Sequence, residues 1–259
     1  MLNQERYSEI MKYIRINKSV TVNHMSNILK VSVDTVRRDL KHLEKEGLLV
    51  RTHGGAVLHD VVLDCGTISE RKESMTVNKA DLGKEIGPFI RDGEVLFLDG
   101  SSTTLLMIPE LKEKKNLTII TNSVYTAVEV IKQEIKAGLH VLGGKLIVEN
   151  GSVVGNHGIN ELKNYHISSA IMSCYGLTVE EGYCDIDFDE ALFKRAVIEQ
   201  SQHVYFLMDH SKIGLRSPVK ITEIRDDITL ITEKVDESFI ESYRSLTLGE
   251  LIVKKEYAK

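Results

Sequence analysis

Three residues, Lys30-Val31-Ser32, separate two stretches whose apolar side chains recur at helical spacing, and so short a connection admits only a tight turn between helices. Before the turn, Met25, Ile28 and Leu29 follow Thr21 and Asn23, either of which can cap a helix start. After it, Ser32 is a natural N-cap for a helix over 32–46 with Val36, Leu40 and Leu43 on one face. Gly47 stands where a left-handed helix stop is favoured. An earlier stretch, from about Asn3 to Asn17, places Tyr7, Ile10, Tyr13 and Ile14 at the same spacing. The pattern predicts three short helices, the second and third forming a helix-turn-helix.

The outward face of the third helix holds Ser32, Asp34, Thr35, Arg37, Arg38 and Lys41. Hydroxyls in the first turn and two adjacent arginines suit a helix whose N-terminal end enters a DNA major groove. There hydroxyls and amides reach base edges or phosphates, and an arginine pairs with guanine or clamps a phosphate. Asp39 is expected to hold one arginine in an ion pair. After Gly47, the run Leu48 to Leu58 predicts two short strands around Gly54-Gly55, a wing from which Arg51 and His53 reach phosphate or minor groove. Gly54 and Gly55 would permit close backbone approach. Charge divides accordingly. Residues 1–60 carry ten Lys and Arg against seven Asp and Glu, a balance of +3, while the remainder carries 23 against 31, or −8. Singly, these features describe a solvated helix face or a plain bundle; their order points to a DNA-binding head.

The run VSVDTVRRDLKHLEKEGLLVRTHGGA, residues 31–56, resembles the winged-helix signature of the DeoR family of sugar-responsive transcription regulators. Its Val-Ser, Thr-x-Arg-Arg-Asp-Leu, Leu-Glu-x-x-Gly and Arg-x-His-Gly-Gly-Ala elements stand in order. Two positions depart from the family: Ser26 replaces a small apolar alanine and Lys30 a frequent turn glycine. The resemblance implies a regulator of carbohydrate-metabolism genes that binds double-stranded operator DNA, more often as repressor than activator, and as a homo-oligomer, dimer or tetramer.

Between Leu58 and about Asn78 periodicity is lost, which marks a connector. The expected organisation is a winged helix-turn-helix domain over 1–58, a connector over 59–77 and an effector domain over 78–259. In that last part helices and short apolar strands alternate. Helices are expected over Asn78–Ile90, from Thr103 to Lys112, from Ser123 to Lys136 and over Asp189–Gln200. Strands are expected at 94–99, 117–121, 140–142, 170–173, 204–208 and 228–232. The fold class is α/β, with a largely parallel sheet. Ligands in such sheets sit at the carboxyl ends of strands. Asp99-Gly100-Ser101-Ser102-Thr103-Thr104 falls at one such end, where hydroxyls and free amides at a helix start make an anion site. Thr121-Asn122-Ser123, Leu142-Gly143-Gly144-Lys145 and Asp209-His210-Ser211-Lys212 supply three more, Lys212 being able to meet a phosphate as a point charge.

These runs also resemble the effector domain of the DeoR family, itself similar to ribose-5-phosphate isomerase. That likeness implies a phosphorylated sugar held by Asp99, Gly100, Ser101, Ser102, Thr103, Thr104, Asn122 and Lys212. Gly144 would supply a close backbone contact, and Asp209 either faces the ligand or orients Lys212. An isomerase with a fused DNA-binding head is the competing possibility. The isomerases use an Asp-Gly-x-x-Asp loop and a Lys-Gly-x-Gly-Gly segment, and neither occurs here. The carboxylates Asp185, Asp187, Asp189 and Glu190 near a helix start read first as dipole complements, then as binders of sugar hydroxyls. The expectation is binding without turnover, with no catalytic residue. The nine histidines lack metal-ligand spacing, so no metal or cofactor is expected, and only His210 stands near a pocket. Cys65, Cys174 and Cys184 have no paired spacing and read as reduced thiols. With no apolar leader and no run of membrane-spanning length, the protein is expected to be cytoplasmic and to have no membrane partner.

Overall fold

A computed structural model describes residues 3–17, 19–45, 48–52, 54–58 and 76–254. Gly47, His53, Cys65 and nearly all of the expected connector lie outside the described residues.

The head contains α1 (Asn3–Asn17), β1 (Ser19–Thr21), α2 (Val22–Leu29), α3 (Val33–Lys45), β2 (Leu49–Thr52) and β3 (Gly55–Leu58). Thr21 caps α2, its hydroxyl accepting from the His24 amide at 3.1 Å, and Ser32 caps α3 through the Thr35 amide at 3.2 Å. Lys30 closes α2 in the left-handed region at φ 52, where the family places glycine. Ser26 is explained by the same turn: its hydroxyl donates to the Val31 carbonyl at 2.6 Å. Ile10, Ile14, Met25, Val36, Leu40 and Leu49 are fully buried together, so the inward set read from periodicity is the core of the head.

Two expectations for the head need correction. The wing has three strands, in the order β1-β3-β2, because the β-branched pair at Val20-Thr21 joins the edge of β3. The arginine that Asp39 holds is neither Arg37 nor Arg38 but Arg6 of α1. Nε and Nη2 of Arg6 reach the two Asp39 oxygens at 2.7 and 2.8 Å, with both side chains buried. That hydrogen bond holds the guanidinium above its ordinary pKa against the opposing effect of burial.

The body is a seven-stranded, wholly parallel sheet. Its strands are β4 (Val95–Leu98), β5 (Leu117–Thr121), β6 (Ala137–Val141), β9 (Ile167–Met172), β12 (Ser201–Leu207), β14 (Ile228–Thr232) and β15 (Leu251–Val253), in the order β15-β14-β12-β9-β4-β5-β6. Helices cover both faces, so strand residues alternate between two cores. Leu96 and Leu98 join one, with Leu82, Ile86 and Met107; Phe97 joins the other, with Phe193, Phe206 and Tyr183. The helices are α4 (Thr76–Ile86), α5 (Ser102–Met107), α6 (Val124–Lys132), α7 (Asn156–Leu162), α8 (Phe188–Gln200) and α9 (Glu237–Leu246).

Helix ends are the commonest misjudgement. The helix expected from Asn78 begins at Thr76, and it yields to a 3-10 turn at Gly87–Phe89 carrying Pro88. α5 yields to a 3-10 turn at Ile108–Leu111 containing Pro109, and α6 stops at Lys132 before left-handed Glu134. Beyond the sheet's carboxyl end stand elements that lacked a legible period. These are the hairpin β7 (Lys145–Ile147) and β8 (Ser152–Val154), and the antiparallel β10 (Gly176–Thr178), β11 (Gly182–Asp185) and β13 (Val219–Thr222). Among the described residues no helix is long and apolar enough to cross a membrane.

Candidate functional site

Ser32, Asp34, Arg37, Arg38 and Lys41 are all exposed on the α3 face opposite Val36, Leu40 and Leu43, with Thr35 half-buried beside the Ser32 cap. Asp34 holds this face in order: Arg37 donates to its carboxylate at 3.1 Å and Arg38 to its carbonyl at 3.3 Å. Arg51 in the wing is exposed, and its amide is tied to Glu44 of α3 at 3.0 Å. The two wing glycines differ. Gly54 is exposed, whereas Gly55 is buried, because a Cβ there would stand 1.8 Å from the Val20 carbonyl oxygen. The close approach that requires Gly55 is therefore one made to β1.

The body's candidate site lies where the chain reverses direction across the sheet. From β4 it winds outward to β5 and β6, then returns to β9 and continues to β12, β14 and β15. The crevice between adjacent β4 and β9 is the topological switch point, the usual ligand position in such sheets. Asp99 ends β4, and its Oδ2 accepts the Ser173 amide from the end of β9 at 2.8 Å. Its Oδ1 accepts the Ser101 amide at 3.0 Å. Lys212, after β12, donates to the Ser173 hydroxyl at 2.8 Å. Two of the four sequence-predicted strand ends, those of Asp99 and Lys212, thus meet at one point through Ser173. Asn122, at another, donates to the Val153 carbonyl at 3.0 Å.

The serine-threonine run is more enclosed than its sequence suggests. Ser101 caps α5 by accepting from the Thr104 amide at 3.1 Å, and Ser102, Thr103 and Thr104 are buried. Oγ1 of fully buried Thr103 and Oδ1 of Asn122 have no protein partner. Gly100 is required because a Cβ there would press on Ser123 Oγ at 2.8 Å. Gly144, at φ 150, closes onto the Val154 carbonyl, so its close backbone contact is internal. Asp209 caps the turn at His210–Lys212 through the Ser211 amide and hydroxyl. His210 sits on the rim, with its Nδ1 2.6 Å from Glu233. Cys174 and Cys184 are buried free thiols, and burial raises the Cys174 pKa to about 12. Among the described residues no His, Cys, Asp and Glu cluster has metal-site geometry.

Lys194, not singled out by its sequence pattern, also borders this site. Its side chain is 13% exposed and lies 2.5 Å from Asp185. Burial opposes its charge, but Asp185, Glu190 and Asp99 together outweigh burial and hold the ammonium protonated. Asn150 donates to Glu190, whose own pKa is raised chiefly by burial. Asp187 caps α8, accepting the Glu190 amide at 2.9 Å, and Asp189 and Glu190 stand in its first turn as the expected dipole complements. The signal was present, since Glu190 and Lys194 are spaced i,i+4 on a helix face that also buries Ala191, Val197 and Ile198.

The sequence matches the family models for the DeoR-like helix-turn-helix domain over residues 6–61 and for the DeoR C terminal sensor domain over residues 74–234. The chain belongs to the DeoR family. It is therefore a DNA-binding transcription regulator, with the DNA-reading module at its N-terminal end and a sensor after it. Among DeoR-family relatives, it is 31% identical to the HTH-type transcriptional regulator GolR of Listeria innocua, over 94% of this chain and 96% of that one. It is 31% identical to the HTH-type transcriptional repressor GlcR of Bacillus subtilis, over 91% and 90%. The glycerol-3-phosphate regulon repressor of Escherichia coli is 27% identical over 86% and 88%. A solved D-ribose-5-phosphate isomerase in complex with phospho-erythronic acid aligns over 52% of each chain, at 16% identity and a TM-score of 0.40. That likeness is too distant to bear on function.

Proposed function

We propose that this chain is a repressor of carbohydrate-metabolism genes whose hold on operator DNA is changed by a phosphorylated sugar bound at the β4/β9 crevice. The observation that carries this reading is the continuous Lys212–Ser173–Asp99–Ser101 network across the switch point. It brings a cation and hydroxyls together for a phosphate, while Lys194, Asp185, Glu190 and Asn150 offer donors and acceptors for sugar hydroxyls. The two relatives named as repressors, one of them of a glycerol-3-phosphate regulon, favour repression and a phosphorylated effector. Binding without turnover is supported by the sequence, which lacks the Asp-Gly-x-x-Asp loop and the Lys-Gly-x-Gly-Gly segment of the isomerases. Two-fold pairing of heads on operator half-sites calls for a homo-oligomer, a dimer or tetramer, in the cytoplasm.

The test is thermal unfolding with ribose 5-phosphate, fructose 6-phosphate, glucose 6-phosphate and glycerol 3-phosphate, with inorganic phosphate as control. At least one should raise Tm and change operator affinity, with no product formed on long incubation. Steady turnover would move the site to the isomerases, and the absence of any Tm shift would remove it as a sugar-phosphate site.

A further inference from the structure

Residues 209–218 run from the candidate effector site to the head. At the near end, Lys212 binds Ser173 beside Asp99. The chain then turns at Gly214 (φ 84), whose amide donates to the Leu177 carbonyl at 2.7 Å. The Leu215 carbonyl lies so close to Gly176 that a Cβ there would stand 2.4 Å from its oxygen. Arg216 pairs with Glu181 at 3.1 Å, and the Ser217 hydroxyl donates to the Asp185 carbonyl at 2.6 Å. At the far end, the Arg216 carbonyl accepts the hydroxyl of Ser19 at 2.7 Å, and the Pro218 carbonyl faces the wing-tip Gly54. Ser19 is 5% exposed and opens β1, which pairs with β3 of the wing and leads straight into α2.

Asp185 borders both ends of this path. Its carboxylate is held by Lys194 in the polar cluster, and its carbonyl is held by Ser217 in the segment. A ligand that draws Lys212 from Ser173, or alters the Asp185–Lys194 pair, thus acts on a segment with little freedom to absorb the change. Glu181, Leu177 and Asp185 fix it to the body, and the Ser19 hydroxyl ties it to the head. Coupling between two sites requires contacts that differ between their states, and the Ser19–Arg216 bond joins head to body where such a difference would be felt.

We propose that residues 213–218 transmit occupancy of the effector site to the DNA-reading head, with Ser19 as the docking residue on the head. This rests on the sugar-phosphate reading above. The experiment measures operator affinity with and without each of the four phosphates at one fixed salt concentration, using wild type, Ser19→Ala, Ser19→Thr and Ser217→Ala. The wild-type ratio should lie within about 5–150-fold. In Ser19→Ala it should fall below about 2-fold while both the ligand-induced Tm shift and operator binding persist, and Ser19→Thr, which keeps the hydroxyl, should restore it. Ser217→Ala should reduce the ratio from the body side without touching the head. A wild-type ratio kept in full by both alanine variants overturns the link alone. No wild-type response to any phosphate overturns the parent reading, and the link with it.

Discussion

Replacing Asp39 by alanine should strongly destabilise the head and leave the body intact. The Arg6 side chain is 10% exposed and that of Asp39 4%, and two parallel hydrogen bonds of 2.7 and 2.8 Å join them. Removing one partner of a buried pair costs about 3–5 kcal/mol, because the remaining charge is left without compensation. Water reaches the edge of the guanidinium, which places this site near 3 kcal/mol. A domain the size of the head has roughly 3–8 kcal/mol of stability in all, at about 0.05–0.15 kcal/mol per residue. The loss is therefore a large share of the total. Hydrogen exchange read on peptides from α1 and α3 should accelerate about 100-fold, since 1.4 kcal/mol is tenfold, with peptides from α8 as internal reference. The double substitution Arg6→Met with Asp39→Leu should recover most of the protection, since apolar residues of similar volume commonly replace such pairs without loss. Exchange in α1 and α3 unchanged within about 2-fold in the single variant would refute the reasoning.

Two further outcomes are expected. Arg37→Ala with Arg38→Ala should weaken operator binding by about 100-fold or more and flatten its salt dependence, with the circular dichroism of the head unchanged; unaltered binding by gel shift would remove α3 as the reading element. Lys30→Gly should stabilise the head by about 1 kcal/mol, because Lys30 holds φ 52 at a position glycine adopts without strain; a lower denaturation midpoint for the head would contradict this.

The head was legible nearly residue by residue because its signals are local. Ser32, Thr21 and the three-residue turn declare themselves within one helical turn of the groups they satisfy, and the inward set Val36, Leu40 and Leu43 follows from a single period. β1 escaped because its three residues gain strand character only by pairing with β3, some 35 positions later. The same holds for Arg6, whose partner in α3 is 33 residues away. In the body, central strands such as β5 and β14 stood out as short apolar runs. The peripheral β10, β11 and β13 are three or four residues each, and β13 joins the β10–β11 hairpin only across some 35 positions. The site was legible in its strand ends, Asp99 and Lys212, but not in Ser173 or Lys194. Ser173 contributes through its amide and hydroxyl at a strand end with no motif around it, and the Glu190–Lys194 spacing reads equally well as a surface ion pair.

The division of labour on α3 has a consequence for how such a regulator changes over time. Its inward half is fixed twice, by the apolar core and by the Arg6–Asp39 pair that locks the helix's rotation. Its outward half is tied mainly to itself, through the bonds of Asp34 to Arg37 and Arg38. Substitutions at Arg37, Arg38 and Lys41 can therefore accumulate with little penalty to folding. A duplicated copy of this chain could acquire a new DNA target through a few outward changes while inheriting the sensor intact.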